Sequence, residues 1–567
     1  MNSLPQEIID HISAISFQDQ VKAVGIAPFA DLPFDRPLLA TISRRWQYAI
    51  ERQSFSVINL KSTDLHIFQQ AVTGHRRRFL ESLRYTIILP AYSEEACTQF
   101  ERDADRQINS AAFTTALYGL FQILQSWGSI SDSGSPYALC VIVKGIYSPT
   151  DNNRRQSSVR PARVYRRHLR AGDPVTVHQR HLYSYRFHFS SLHLLQPIDL
   201  PVVPAIRRFV AFHGGGYNRR TIAPESILEI MAKAPRLKSV WLSYVDRLTS
   251  HPALRRTRRD AFTQALERVR LSPSITGVVI STNPAKISNQ SWQPSRLAYP
   301  GVNCDLLSDT IRRATANLPD LAVLHIHGVI DSSLFWPASP GLVIQPFWQN
   351  LRTLLVTFDP TTPSGEWYFK GEDKRDTYPF PLVTAPASET QMPPGYGFSE
   401  EEDIAAALEF SVPTFHAQSG KRPFDNIFRS TVDKRLVVPL LEAFAKACTQ
   451  MPLLEMAQLG TNLWELVEFR WETYTRSGEW VILYSIPGCY HRRHHREPPL
   501  SYPTDSALRR TLIFDTRDWR PSEELCSLFQ SIGQGKYSEE PIIRHVDRWG
   551  SMGKQMALDE LARPRGE

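Results

Sequence analysis

Cys489, His491, His494 and His495 crowd one short stretch, and a thiolate with imidazoles is a donor set that zinc accepts. Arg492 and Arg493 stand between these donors and repel a cation, so the stretch reads as a polar loop and no metal is assigned. Glu465, Glu468 and Glu472 recur at strand or helix edges without a partner that would make them an acid–base pair. Gly214, Gly215 and Gly216 follow a strand pattern, but they lack the spacing of a dinucleotide fingerprint and read as a turn. The sequence contains no Gly-x-Ser-x-Gly elbow, no phosphate loop ending in Gly-Lys-Ser/Thr and no His-Glu-x-x-His. No catalytic residue and no cofactor are assigned, and a non-enzymatic role is expected.

Charge offers a second kind of chemistry. The chain carries a formal net charge of +8, yet residues 151–190 hold nine arginines, no lysine and only Asp151 and Asp173. That segment alone supplies +7, so the rest is nearly neutral. Arg154, Arg155, Arg160, Arg163, Arg166, Arg167 and Arg170 lie among Ser, Asn and Pro, the composition of a solvated loop insertion. The alternative is a docking site for acidic or phosphorylated partners. This distribution argues against nucleic acid as the general partner. The 42% hydrophobic content supports a real core. No run approaches bilayer length, and the polar, helical N-terminus does not read as a signal peptide, so no membrane partner is expected. Six cysteines without metal-type pairing suit reduced thiols in the cytoplasm or nucleus.

The elements that would position a binding surface begin at the N-terminus. Pro5 suits the first turn of a helix, and Leu4, Ile8, Ile12 and Ile15 fall on one stripe. Leu38, Ile42, Trp46, Ala49 and Ile50 mark a second amphipathic segment, with Arg44, Arg45 and Glu51 turned away. Between them, residues 25–37 contain Pro28, Pro33 and Pro37, which cannot lie within one uninterrupted helix. The wording Leu4-Pro5-x-Glu7-Ile8-x-x-x-Ile12, followed by Ile42-Ser43-Arg44-Arg45-Trp46, resembles the F-box. The resemblance implies binding to the Skp adaptor, and through it to the cullin of an SCF ubiquitin ligase, by an exposed apolar edge. Leu4, Pro5, Ile8, Ile12, Leu39, Ile42 and Trp46 are the candidate adaptor-binding residues, Trp46 being the one expected to hold the helices together.

Behind this module a unit recurs with apolar residues at 0, +3 and +5 and, in most copies, proline at −2. Its anchors are Ile206, Leu237, Ile275, Leu321, Leu351 and Leu454, with Leu80 as an early copy. The proline is expected to end a helix, the anchor to plug a turn, and the +3 and +5 residues to face one side of a short strand. Helices are expected before most copies, over 226–234, 259–269, 305–317 and 438–450. Such strand–helix units cannot bury their faces singly, so stacking into a parallel sheet lined by helices is expected. The pattern resembles the irregular leucine-rich-repeat domain that follows the F-box in many fungal proteins. The anchors lie 31, 38, 46, 30 and 103 positions apart, against roughly 20–29 in the regular unit.

The expected fold class is thus α/β: a small N-terminal helical F-box-like module over 1–60, then an irregular leucine-rich-repeat-like α/β solenoid over 61–550. Insertions are expected at 151–190 and, from seven prolines, at 359–398, with a loose tail over 551–567. Ser399 with Glu402 reads as a capping box restarting a helix. A hairpin around Arg476-Ser477-Gly478, a strand at 511–514 and a helix at 523–532 are expected to close the array. The function so implied is substrate recognition for an SCF-type ligase, binding a protein substrate through the repeats. The alternatives are a scaffold with the same repeats that joins no ligase, and a nucleic-acid-associated protein using the arginine segment.

Overall fold

The computed structural model describes residues 5–13, 40–127 (except 94–95 and 97–98), 138–152, 186–211 (except 188 and 197–198), 220–244, 252–282, 290, 294–299, 301, 304–337, 348–371, 392–393, 395–396, 429–489 (except 470–471) and 509–545. A helix over residues 6–13 (α1) is followed by α2 (Arg44–Ser56), which runs directly into β1 (Val57–Lys61). Next come α3 (Leu65–Ala71), β2 (Ser82–Ile88), α4 (Asp103–Ser126), β3 (Leu139–Tyr147), β4 (Ser191–Leu192), β5 (Ile206–Ala211) and β6 (Thr221–Ile222). The middle of the chain holds α5 (Pro224–Ala232), β7 (Ser239–Tyr244), α6 (Pro252–Arg268), β8 (Gly277–Thr282), α7 (Leu306–Ala316), β9 (Val323–Gly328) and β10 (Thr353–Phe358). It ends with β11 (Phe369–Gly371), β12 (Arg429–Val432), α8 (Lys434–Thr449), β13 (Met456–Phe469), β14 (Glu472–Ser485), β15 (Thr511–Asp515), α9 (Glu523–Gln530) and β16 (Ile542–His545).

This is a mixed α/β protein built on one large, mostly parallel sheet. Its twelve strands stand in the order β1-β2-β3-β5-β7-β8-β9-β10-β13-β14-β15-β16, which is also their order along the chain. Only β14 runs against the others; β4 with β6, and β11 with β12, form two separate ribbons. A doubly wound sheet reverses its strand order midway and carries helices on both faces. Here each crossover steps one strand further in the same direction.

The recurring unit is the reason. Phe209, Val240, Val278, Leu324, Leu354 and Ala457, the +3 residues, are direct neighbours across β5, β7, β8, β9, β10 and β13. The +5 residues Ala211, Leu242, Ile280, Ile326, Val356 and Leu459 form the next row. Both rows and all six anchors are buried in one continuous core, together with Phe113, Leu117 and Phe121 of α4, Ile227 and Met231 of α5, Phe262 of α6, Ile311 of α7 and Phe444 of α8. Burying each such large apolar side chain contributes about 1.5–3 kcal/mol, which is what holds successive units in register.

The proline has a more specific place than a helix stop. Each anchor N–H donates to the carbonyl three residues earlier: Ile206 to Val203, Leu237 to Ala234, Ile275 to Ser272, Leu321 to Leu318 and Leu454 to Met451. Pro204, Pro235, Pro273, Pro319 and Pro452 therefore occupy the second position of a four-residue turn, where their fixed φ is already correct. In the copy without proline, Leu351 closes the same turn on Trp348, which sits at φ 50 with its indole N–H donating to Thr315 Oγ1 at 3.1 Å. Leu80, Leu83 and Tyr85 make the early copy in β2; the buried Tyr85 hydroxyl donates to Ala116 O, and burial pushes its phenol well above its usual range.

Several boundaries differ from expectation. α6 begins at Pro252 rather than at 259, and α8 begins at Lys434, N-capped by Asp433, with Pro439 inside it. The hairpin forms, with its ladder running to the pair Phe469–Glu472, so that Arg476, Ser477 and Gly478 pair with Glu465, Trp464 and Leu463 within the ladder rather than forming the turn. The core fixes this register, because only it puts Tyr484 and Ile482 beside Ala457 and Leu459 on the buried rows. Residues 359–371, expected in a proline-rich excursion, are packed: Phe369 is fully buried and Tyr368 donates to Ile330 O. Arg186, the last arginine of the 151–190 segment, is buried rather than solvated, paired with Asp105 and donating to Ala96 O and Gln99 O. Residues 154–170, the Ser399–Glu402 box and the tail from 551 lie outside the described residues.

Candidate docking surface

α1 and α2 meet through a small core of Ile9, Trp46 and Ala49. Polar contacts fix their relative position: Gln6 Nε2 donates to Arg45 O at 3.3 Å, Arg52 pairs with Asp10 at 3.3 Å, and Gln53 Nε2 donates to Asp10 O at 3.3 Å. Ser43 caps α2, its hydroxyl accepting from Trp46 N at 3.4 Å. The segment expected as one stripe over 38–50 is therefore broken at Ile42-Ser43, because an N-cap residue leaves the helical conformation.

That break and the turn of α1 sort the apolar residues into two groups. Trp46 is 5% exposed and internal, as expected of it. Ile8, Ile12 and Ile42 are 46%, 40% and 41% exposed, and Tyr48 is 44% exposed. Pro5 is exposed at the head of α1, while Leu4 and Leu39 lie outside the described residues. The stripe through Ile8 and Ile12 is thus not the seam that joins the helices; Ile9 fills that role. Large aliphatic groups left in water on a rigid helical pair form a surface that gains free energy when a partner covers it.

Glu51 ties this pair to the sheet. Expected to point away, it is instead 7% exposed and accepts from Arg76 Nη2 at 2.6 Å and Gln47 Nε2 at 3.1 Å, with His75 Nε2 2.7 Å away. Although burial disfavours its charge, these hydrogen bonds, Arg76 first, hold the carboxyl down at about 2. Arg76 also lies 5.0 Å over the Phe55 ring, and Tyr48 meets Phe79 edge-on at 4.9 Å. α2 runs directly into β1, so α1 and α2 are joined to the first strand of the sheet.

The sheet supplies a second surface. Alternate strand residues point away from the helices, and on that side Asn59, Lys61, Arg84, Lys144, Arg208 and Trp241 are exposed while Ile142, Val279, His325, Leu355 and Gln458 are half-buried. Lys144 Nζ donates to Asn59 Oδ1 at 3.5 Å. Burial lowers the pKa of both His325 and His327, which disfavours the charged imidazolium at this face. Toward the far end Met456, Leu483 and Ile513 are covered, with Leu355 and Cys489 packed on them. None of these open-face residues stands out in the sequence, since the signal there is the buried residue on either side. Among the described residues no group of three or more His, Cys, Asp or Glu is placed to hold a metal ion; His491, His494 and His495 lie outside them. No helix of the described residues is long and apolar enough to cross a membrane.

No protein-family model matches the chain, and no curated protein matches it.

Proposed function

We propose that this chain is a substrate-recognition adaptor of an SCF-type cullin ubiquitin ligase. The observation that carries the reading is the exposure of Ile8, Ile12 and Ile42 on helices whose internal seam is already filled by Ile9, Trp46 and Ala49. It gives physical content to the F-box-like wording of the same residues. The Skp adaptor would cover these isoleucines, with Pro5 at the edge, and the cullin would join through the adaptor. The chain-ordered parallel strands support reading residues from β1 onward as an irregular, leucine-rich-repeat-like solenoid that holds a protein substrate. In this role the chain contributes proximity, and bond-making belongs to the partner enzyme.

The test is co-elution of purified full-length chain with recombinant Skp adaptor in size-exclusion chromatography. The wild type elutes as a complex, and Ile8→Asp with Ile12→Asp elutes alone while keeping its circular dichroism. Failure of the well-folded wild type to co-elute refutes the proposal and leaves the scaffold reading.

A further inference from the structure

We propose that the open face of the sheet over β1 to β8 binds a short acidic polypeptide segment that carries an apolar side chain just beyond its acidic run. This deepens the reading above and rests on it, since it names the class of substrate the adaptor would hold.

Charge is the first argument. The eight parallel strands before β13 contain no Asp and no Glu, whereas the first four of them place Lys61, Arg84, Lys144 and Arg208 on the open side. Each of the four is exposed, and none forms an ion pair among the described residues. A chain nearly balanced outside residues 151–190 has carboxylates to spare, so their absence from these strands gives the strand surface one sign of charge, which attracts anionic groups. Two β-bulges interrupt the parallel register, and both fall here: Lys144 is the extra residue of β3, and Arg207 that of β5. A bulge re-aims the local side chains and increases twist. The β3 bulge adds Lys144 to the patch beside Asn59, whereas the guanidinium of Arg207 turns to Arg236 O at 3.3 Å at the edge of the sheet.

Apolar surface is the second. On β7, next to β5, Trp241 is 37% exposed, with Val279 beside it on β8. The cations stop where this apolar ground begins. Strands lie about 4.8 Å apart, so β1 to β5 spans about 14 Å, and an extended peptide crossing them covers that in about four or five residues. One or two residues further on it reaches Trp241. The complementary segment thus has about four or five residues rich in Asp or Glu, then an aliphatic or aromatic side chain. Single-stranded nucleic acid fits less well: it needs successive aromatic platforms along a continuous basic track, and among the described open-face residues one exposed ring, Trp241, follows the cations, flanked by Val210 and Val279.

The experiment is fluorescence anisotropy on the full-length protein. The probe is a labelled peptide of five mixed Asp and Glu residues followed by Gly-Leu; the comparisons are its Asn/Gln counterpart, the same acidic run ending in Gly-Gly, and a single-stranded oligouridine. The acidic Leu probe is expected to bind best, with affinity that falls as salt is raised. Arg84→Gln with Arg208→Gln should weaken it about tenfold, and charge reversal at both positions should weaken it further. Trp241→Ala should remove the preference for Leu over Gly-Gly while leaving the salt dependence. Co-elution with the Skp adaptor should be unchanged in all these variants, so a failed adaptor complex and a failed peptide site are read separately. Equal binding of the Asn/Gln peptide, tighter binding of oligouridine, or indifference to both arginine variants overturns the proposal.

Discussion

Replacing Glu51 by Gln removes one negative charge where α2 meets residues 74–79 and the first strands of the sheet, and leaves the shape almost unchanged. The carboxylate is nearly covered, but Arg76 and His75 keep 32% and 55% of their side-chain surface in water. Breaking a fully buried ion pair costs about 3–5 kcal/mol; solvent screening of these half-open partners reduces that to about 2 kcal/mol. Hydrogen exchange is the suitable assay, because the loss is local. About 2 kcal/mol corresponds to roughly 30-fold faster exchange, expected in residues 44–56 and 74–79 and not in β7 to β10. The pH dependence follows from the same contacts. A carboxyl held near 2 when folded and at 4.5 when free stabilises this joint fully above 4.5 and loses its contribution as pH falls toward 2. In Glu51→Gln that acid-dependent loosening disappears. Unchanged exchange in residues 44–56, or uniform loss of protection through the sheet, refutes the reasoning.

Other consequences follow from particular contacts. Ile275→Ala empties a fully buried anchor and should cost about 2–5 kcal/mol in chemical denaturation, whereas Val279→Ala on the open face should cost at most about 1. Gly460→Ala would bring a methyl carbon within 2.8 Å of Trp480 O and 2.9 Å of Val481 Cγ2, so the β13–β14 ladder must shift, and a loss of about 1–3 kcal/mol is expected by the same assay. Arg259→Met leaves the buried Asp305 carboxylate without its guanidinium, whose Nε lies 3.2 Å from Oδ1; about 3–5 kcal/mol should be lost. Cys448 is fully buried and its thiol pushed up by desolvation, so it should resist alkylation by iodoacetamide at mildly alkaline pH until the protein unfolds.

Much of the sheet could be read from the residues because burial repeats with a fixed phase. Anchor, +3 and +5 positions line up across seven strands, and proline marks the turn that aligns five of them. β3 escaped because Leu139 stands only two residues before Val141; the bulge at Arg207 absorbs the missing residue where β3 meets Ile206. β1 escaped because it follows directly from α2 and has neither anchor nor proline. The hairpin turn was misplaced because Arg-Ser-Gly is a good local turn, yet the buried rows set the register. At the docking helices, periodicity identified apolar residues but not which side of α1 they served, since adjacent Ile8 and Ile9 differ only by a hundred degrees of rotation. The open face was invisible for a related reason: its cations lie far apart in sequence and become a patch only when strands stack.

The central claim is that the isoleucine surface of α1 and the approach to α2 receive the Skp adaptor while the sheet stays free for another partner. Hydrogen exchange of the full-length chain with and without recombinant adaptor tests it most directly. Added protection is expected at residues 6–13 and 40–48, and none on β3 to β9. No complex, or a footprint on the sheet with the isoleucines still exchanging freely, would contradict it.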